Sequence, residues 1–388
     1  MLERLARGLR GGQRPQPPEA DYADIAVYEQ AGPAALAPGA AERSSAASLE
    51  VAVVVPWLLE GSGGHSTILN LVRGLEERGH ACSLWVHDPG ERQAGDDAGA
   101  LVRDWFGGMA GPVRLGFGEW RGADVVLATG WQTVHRTLLL GDARARAYLV
   151  QDHEPEFHPA SAEARWADAT YRQGLHCITA GRWLRDLVVQ NYGATASWFE
   201  LGVDHSVYRP MDGTRAEQTV LLYSRTTTPR RAVPLGLLAL AELKRRRPGL
   251  AIELFGDPRG AGALVEHRDL GVLAPGELAQ AYARATVGMV LSMTNYSLIA
   301  QEMLACGLPC VELDTPSTRA ALGASQAAEL APFGVQAIAT ALERLLDDPE
   351  LRERRAAAGL KLVQERTWGA AAEQVEAGLR EALRLASE

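Results

Sequence analysis

Cysteine is scarce in this chain, with four in 388 residues (Cys82, Cys177, Cys306 and Cys310). Only the last two are close together, and their spacing matches neither a zinc pair nor a redox dithiol. That argues against a disulfide scaffold and for buried thiols in a reducing compartment. Long hydrophobic runs are missing as well: no uninterrupted apolar stretch approaches the ~20 residues of a helical membrane span. The opening segment, MLERLARGLRGGQR, lacks the apolar centre of a secretory signal. A soluble, cytoplasmic chain is expected. Nor is there an excess of positive charge, since 39 Lys and Arg against 48 Asp and Glu leave a net charge of −9. This is the wrong sign for a nucleic-acid binder. Local basic stretches at Arg230 and Arg231, and from Lys244 to Arg247, still allow single phosphate contacts. His153, His158 and His176 have no ligand-type spacing, so no metal site is expected.

What is present fits a globular chain with full cores, 47% apolar and long enough for two domains. Residues 1–48 are rich in Pro, Ala, Gly and Ser, with only AVYEQ (26–30) suited to order, and read as a flexible leader whose basic start can touch a membrane face. The pattern changes at Leu49. VAVVVPW is an apolar strand, GSGGHS a glycine turn and TILNLVRGLEERGH an amphipathic helix, the opening of a doubly wound α/β domain over residues 49–205. Gly63 and Gly64 allow close backbone approach to a ligand, although the turn lacks the G-x-G-x-x-G spacing of a dinucleotide site. Strands are expected at 124–128, 147–150, 177–179 and 196–199. After one of them come Gln151, Asp152, His153 and Glu154, on the same carboxyl edge as the glycine turn, although such a loop equally caps and turns the chain. A hinge over 205–218 precedes a second strand and helix series, residues 219–366. An amphipathic segment, 367–388, is placed to pack back on the first domain.

The second series centres on LSMTNYSLIAQEMLACGLPCV (291–311), read as the end of an apolar strand (VGMVLS, 287–292), polar break, helix and strand. Such a helix starts at the carboxyl edge of a parallel sheet, and its free amides near Tyr296, Ser297, Leu298 and Ile299 suit a diphosphate. Glu302, one turn in, either accepts two hydrogen bonds from a ribose diol or simply complements the helix dipole.

These residues carry a resemblance. Two Rossmann-like domains, the glycine turn, Arg225 after the second domain's first strand, and EMLACGLPCV together resemble a GT-B glycosyltransferase of the large retaining family four, from Leu49 to the C-terminus. Within that family GSGGHSTI, VQDHEPEFHP and SRTTTPRR are most similar to bacterial rhamnosyltransferases that use dTDP-rhamnose to build surface polysaccharide or glycans. The resemblance implies an α/β GT-B architecture, with two doubly wound domains facing across a cleft and a C-terminal helix crossing back. It implies retaining, metal-independent transfer without a cofactor, from a nucleotide-diphosphate sugar to a glycan, glycolipid or glycoprotein acceptor at the inner face of the membrane. Arg225 and Arg230, as catalytic residues, would neutralise the donor diphosphate, Arg230 standing where the family usually has Lys. Glu302 matches the ribose-binding Glu. Thr294 stands where a second Glu is usual, and Asp152, the third catalytic candidate, lies near the family's donor-sugar His. Donor contacts would come from Gly63, Gly64, Arg225, Arg230, Tyr296, Ser297, Leu298 and Glu302. The acceptor side would hold His65, Gln151, Asp152, His153 and Glu154. An epimerase on the same fold, or a catalytically silent binding module, remains as an alternative.

Overall fold

Strands that read as continuous apolar runs are those that must be covered on both faces, and here they form two wholly parallel sheets. The computed structural model describes residues 18–213 and 215–388. The first sheet holds β1 (Glu50–Pro56), β2 (Ala81–His87), β3 (Val113–Leu115), β4 (Ala123–Ala128), β5 (Ala143–Val150), β6 (His176–Ala180) and β7 (Ala196–Phe199). Its spatial order is β3-β2-β1-β4-β5-β6-β7. The second holds β8 (Thr219–Tyr223), β9 (Ala251–Phe255), β10 (Arg268–Asp269), β11 (Val287–Met289), β12 (Cys310–Leu313) and β13 (Glu329–Ala331), in the order β10-β9-β8-β11-β12-β13. All paired neighbours run parallel. Strand order reverses between β1 and β4 in one sheet and between β8 and β11 in the other. Open α/β sheets bind ligands in the crevice at such points. The glycine turn leaves β1, and the loops carrying Arg225, Arg230 and Thr294 leave β8 and β11, so the reversals explain why these residues meet.

The helix Trp368–Ala386 returns to the first domain, as the amphipathic reading of that segment expects. Its small residues let it lie close: a Cβ added to Gly378 would sit 2.6 Å from the Ser197 hydroxyl, and one added to Gly74 would sit 2.5 Å from the Ala372 methyl. Glu376 pairs with Arg78 at 2.6 Å and lies 3.3 Å from His80. Burial opposes ionisation of Glu376, but the hydrogen bonds from Arg78, Arg380 and His80 outweigh it and hold the carboxyl down at about 2.

Flexibility through residue 48 is corrected for the described part of that segment. The helix Ala23–Ala31 packs Ile25 against Trp131 and Ala167, and the buried Asp24 takes a 2.9 Å bond from Arg136 with His87 at 3.1 Å. Farther on, Arg43 forks onto Asp124 at 2.8 and 2.6 Å. The partners lie roughly 60 to 140 residues away, out of reach of local composition. The basic start, residues 1–14, lies outside the described residues. Three edge strands, β3, β10 and β13, were not expected. β3 and β10 are short and largely solvent-facing, so they carry no apolar run. The strand expected over 287–292 ends at Met289, and Val290 to Ser292 continue as buried irregular chain.

Candidate functional site

Two helix starts face each other across a cleft of about 760 Å³ lined by both domains. On the first domain the helix Gly63–Glu77 begins after Ser62, whose hydroxyl accepts from the His65 amide at 3.3 Å. A Cβ on Gly63 would meet no protein atom within 4 Å, and one on Gly64 would touch only the Gln151 and Ser62 side chains at 3.7 Å or more. Both have ordinary φ, since the left-handed residue of this turn is Gly61 (φ +68). The pair is therefore set by space kept open toward the cleft and not by backbone strain. On the second domain the helix Leu298–Ala305 is capped by Ser297, whose hydroxyl accepts from Ile299 at 3.3 Å. Among the described residues the amides of Ser297 and Leu298 meet no backbone or side-chain acceptor, and both residues line the cleft.

The Tyr296 amide departs from the expectation of a free donor. It bonds the Ser317 hydroxyl at 2.9 Å and the Asn295 side-chain oxygen at 3.0 Å. The Tyr296 ring is packed into the first domain's core, close against Gly181, while its hydroxyl reaches Glu200 at 3.4 Å. Tyr296 thus pins the domains together, although part of it lines the cleft.

Glu302 is buried at the cleft wall, 8% exposed, with the Tyr282 hydroxyl donating to it at 3.3 Å. Burial pushes its carboxyl up to about 8, against the hydrogen bonds from Tyr282 and Tyr208 that favour the anion. An aqueous diol entering here would find an acceptor with few competing partners.

Arg225 and Arg230 both line the cleft and both reach across it. Arg225 Nη1 donates to the Gly61 carbonyl at 2.8 Å. Arg230 Nε lies 3.1 Å from Asp152 Oδ2, and its guanidinium carbon is 4.3 Å from the Phe157 ring centre. Asp152 is 6% exposed. It also accepts from the Asn295 amide at 2.8 Å, the Thr294 hydroxyl at 3.0 Å and the His153 amide at 2.9 Å. Thr294, at the position where resemblance expects a sugar-holding Glu, is therefore an interdomain contact. Beside it the Asn295 side chain donates to the carbonyls of Gln151 and Ala180 at 2.9 and 2.8 Å.

The acceptor-side group separates. Gln151, Asp152, Glu154 and His65 line the cleft, and His153 does not. Its ring stacks near Tyr171 and shares a 2.7 Å hydrogen bond with the Tyr192 hydroxyl. Tyr171, the Tyr192 hydroxyl and the Glu156 carboxylate, 3.2 Å from Nδ1, hold the ring away from the cleft. Glu154 is buried and accepts from the Trp131 amide at 2.6 Å and the Tyr148 hydroxyl at 2.8 Å. Burial raises its carboxyl to about 7 despite those bonds. His65 is buried too, and desolvation lowers its pKa, leaving the imidazole neutral.

Several contributors escape motif reading. Glu312 is fully buried, accepts from the Ser292 amide and hydroxyl at 2.7 and 2.8 Å, and is raised by burial to about 7. Arg231 donates to the same hydroxyl at 2.6 Å, so the pair sets the loop before Thr294. Phe157 and Trp131 line the first domain's side, and Tyr223, Phe255 and Val272 the second's. Glu312 could have been flagged as an acid inside an apolar strand. Arg231 was visible only as part of a basic stretch, and the aromatic and apolar residues carry no local signal.

Comparison with known proteins bears on the fold. Residues 218–343 match the family model described as WsaF, C-terminal domain. The chain is 32% identical over 263 residues to an O-antigen biosynthesis protein, RfbC, of Myxococcus xanthus, covering 66% of this chain and 20% of that protein. It is 33% identical over 211 residues to a D-inositol 3-phosphate glycosyltransferase of Frankia alni, covering 47% and 52%. The chain thus spans a fifth to about half the length of these relatives. Among solved structures it is similar to sucrose-phosphate synthase from Thermosynechococcus elongatus, with TM-score 0.62, 15% identity, and 84% and 96% of the two chains covered. It is also similar to Anabaena Alr3699/HepE in complex with UDP and glucose, with TM-score 0.61, 15% identity, and 88% and 100% covered. The chain has the GT-B fold. No described helix is long and apolar enough to cross a membrane.

Proposed function

We propose that the chain is a glycosyltransferase that moves a sugar from a nucleotide-diphosphate donor to a glycan-type acceptor. One observation carries this reading: two arginines, the two unpartnered amides before and at the start of Leu298–Ala305, and the buried Glu302 converge on one side of a cleft whose opposite wall is the open glycine turn. The amides and guanidinium groups suit a diphosphate whose charge grows as the sugar leaves. Glu302 suits the ribose diol. The leaving phosphate would help deprotonate an acceptor hydroxyl held on the first domain, giving retention, and Arg225 and Arg230 would take the part a metal plays in other transferases. The name of one relative, an O-antigen biosynthesis protein, supports a role in surface polysaccharide assembly, and the resemblance of GSGGHSTI, VQDHEPEFHP and SRTTTPRR to rhamnosyltransferases makes dTDP-rhamnose the first donor to try. Work at the inner face of the membrane would follow from a lipid-carried acceptor. The test is release of free nucleotide diphosphate from dTDP-rhamnose, UDP-glucose and GDP-mannose, with and without acceptor glycans. Acceptor-stimulated release from one donor supports transfer. Interconversion of the donor's sugar with no release would move the chain to the epimerase reading.

A further inference from the structure

Arg230 belongs to the second domain by sequence, yet what holds its guanidinium is supplied by the first. Its Nε is 3.1 Å from Asp152, and its guanidinium carbon lies over the Phe157 ring, 4.3 Å from its centre. Among the described residues neither Nη atom bonds a protein acceptor, and the side chain lines the cleft. Burial lowers its pKa, so its position is kept against a desolvation cost. Phe157 ends the short turn Glu154–Phe157, which is tied down from beneath by Glu154 through Trp131 and Tyr148. The ring is 39% exposed and itself lines the cleft. A guanidinium stacks flat on an aromatic face while its edge still donates, which an ammonium cannot do.

We infer that Phe157 is a positioning residue for donor binding: it holds Arg230 from the opposite domain so that both Nη groups face the diphosphate. The inference rests on the reading of the cleft as a nucleotide-diphosphate site. It makes the donor site incomplete until the first domain is closed against the second, so a phosphate ligand in one domain reports the position of the other. Held between Asp152 and Phe157, the side chain loses little rotamer freedom when the diphosphate arrives.

Calorimetric titration with dTDP and UDP, which needs no acceptor, tests this on the full chain and on Phe157→Leu, Phe157→Trp, Arg230→Ala and the Phe157→Leu/Arg230→Ala double variant. Leucine keeps apolar cover and removes the ring face, and tryptophan keeps the face. Phe157→Leu is expected to weaken nucleotide binding by roughly three- to thirtyfold, and Phe157→Trp to restore it. In the Arg230→Ala background the leucine substitution should have no further effect, because its route is gone. A Phe157→Leu affinity equal to the parent's, or losses that multiply in the double variant, overturns the inference while leaving the cleft assignment intact. Absence of binding by the parent chain overturns both.

Discussion

Three buried carboxyls sit around the cleft with raised affinity for protons, and this has a measurable sign. Glu302, at about 8, and Glu154 and Glu312, at about 7, are all lifted by burial from an ordinary value of 4.5. Folding favours their protonated forms, so the stability they contribute is whole below about pH 4.5 and is lost as pH climbs toward 8. The melting temperature of the empty protein is expected to fall over that window, with a smaller fall in Glu302→Gln. Nucleotide binding should show the opposite trend. A ribose diol favours the carboxylate, so affinity should rise toward pH 8 in the parent by more than in Glu302→Gln, which cannot ionise there. An equal slope in both proteins would remove Glu302 from the ribose. Arg225→Ala and Arg230→Ala each remove a charge-assisted contact worth roughly 1.5–3 kcal/mol, so turnover should drop about tenfold to a hundredfold or more. Asp152→Asn needs a different expectation from sequence alone. Its carboxylate holds Arg230, Thr294 and the Asn295 amide, so the substitution should lower both nucleotide affinity and melting temperature, where a residue touching only the donor sugar would leave bare-nucleotide binding intact.

At the scale of elements, the C-terminal helix makes the sharpest claim. Gly378 sits where a Cβ would meet Ser197 at 2.6 Å and Ile178 at 2.9 Å. Gly378→Leu should therefore cost about 1–3 kcal/mol by overpacking and lower the melting temperature by several degrees. Gly369→Ala, whose added Cβ would have only the Thr367 hydroxyl nearby at 3.8 Å, should be neutral or slightly stabilising. Elements with a strong period were legible beforehand: the buried strand at 50–56, the helix after the glycine turn, and the C-terminal helix. What was illegible has a physical cause in each case. β10 is two exposed residues, joined to β9 by backbone pairing and an Arg268–Glu253 ion pair at 3.5 Å. The helix Ala23–Ala31 is held by Arg136 and Trp131, which no local window contains. The cleft was partly legible, because Arg225, Arg230, Glu302 and the glycine turn all follow strands at carboxyl edges. The contacts of Thr294 and of the Tyr296 ring are set by how the domains face each other, which no spacing along the chain encodes, while His153 is drawn off the cleft by Tyr171 and Tyr192 of its own domain.

The whole molecule is two parallel sheets whose reversal points are brought face to face, with Asp152, Asn295 and Tyr296 bridging behind the cleft and one helix crossing back to lock the arrangement. If Arg225 and Arg230 take the place of a metal at the diphosphate, activity should survive excess EDTA. Loss restored only by Mg²⁺ or Mn²⁺ would contradict that part of the mechanism. The central claim is that the cleft stabilises a departing nucleotide diphosphate through these two arginines. Its most direct measurement is the rate of nucleotide-diphosphate release from a panel of sugar nucleotides with an acceptor glycan present, comparing the parent chain with folded Arg225→Ala/Arg230→Ala. The account predicts release from at least one donor, dTDP-rhamnose being the first to try, stimulated by acceptor and nearly abolished in the double variant. Release from no donor, or release at the parent's rate in the double variant, would contradict it.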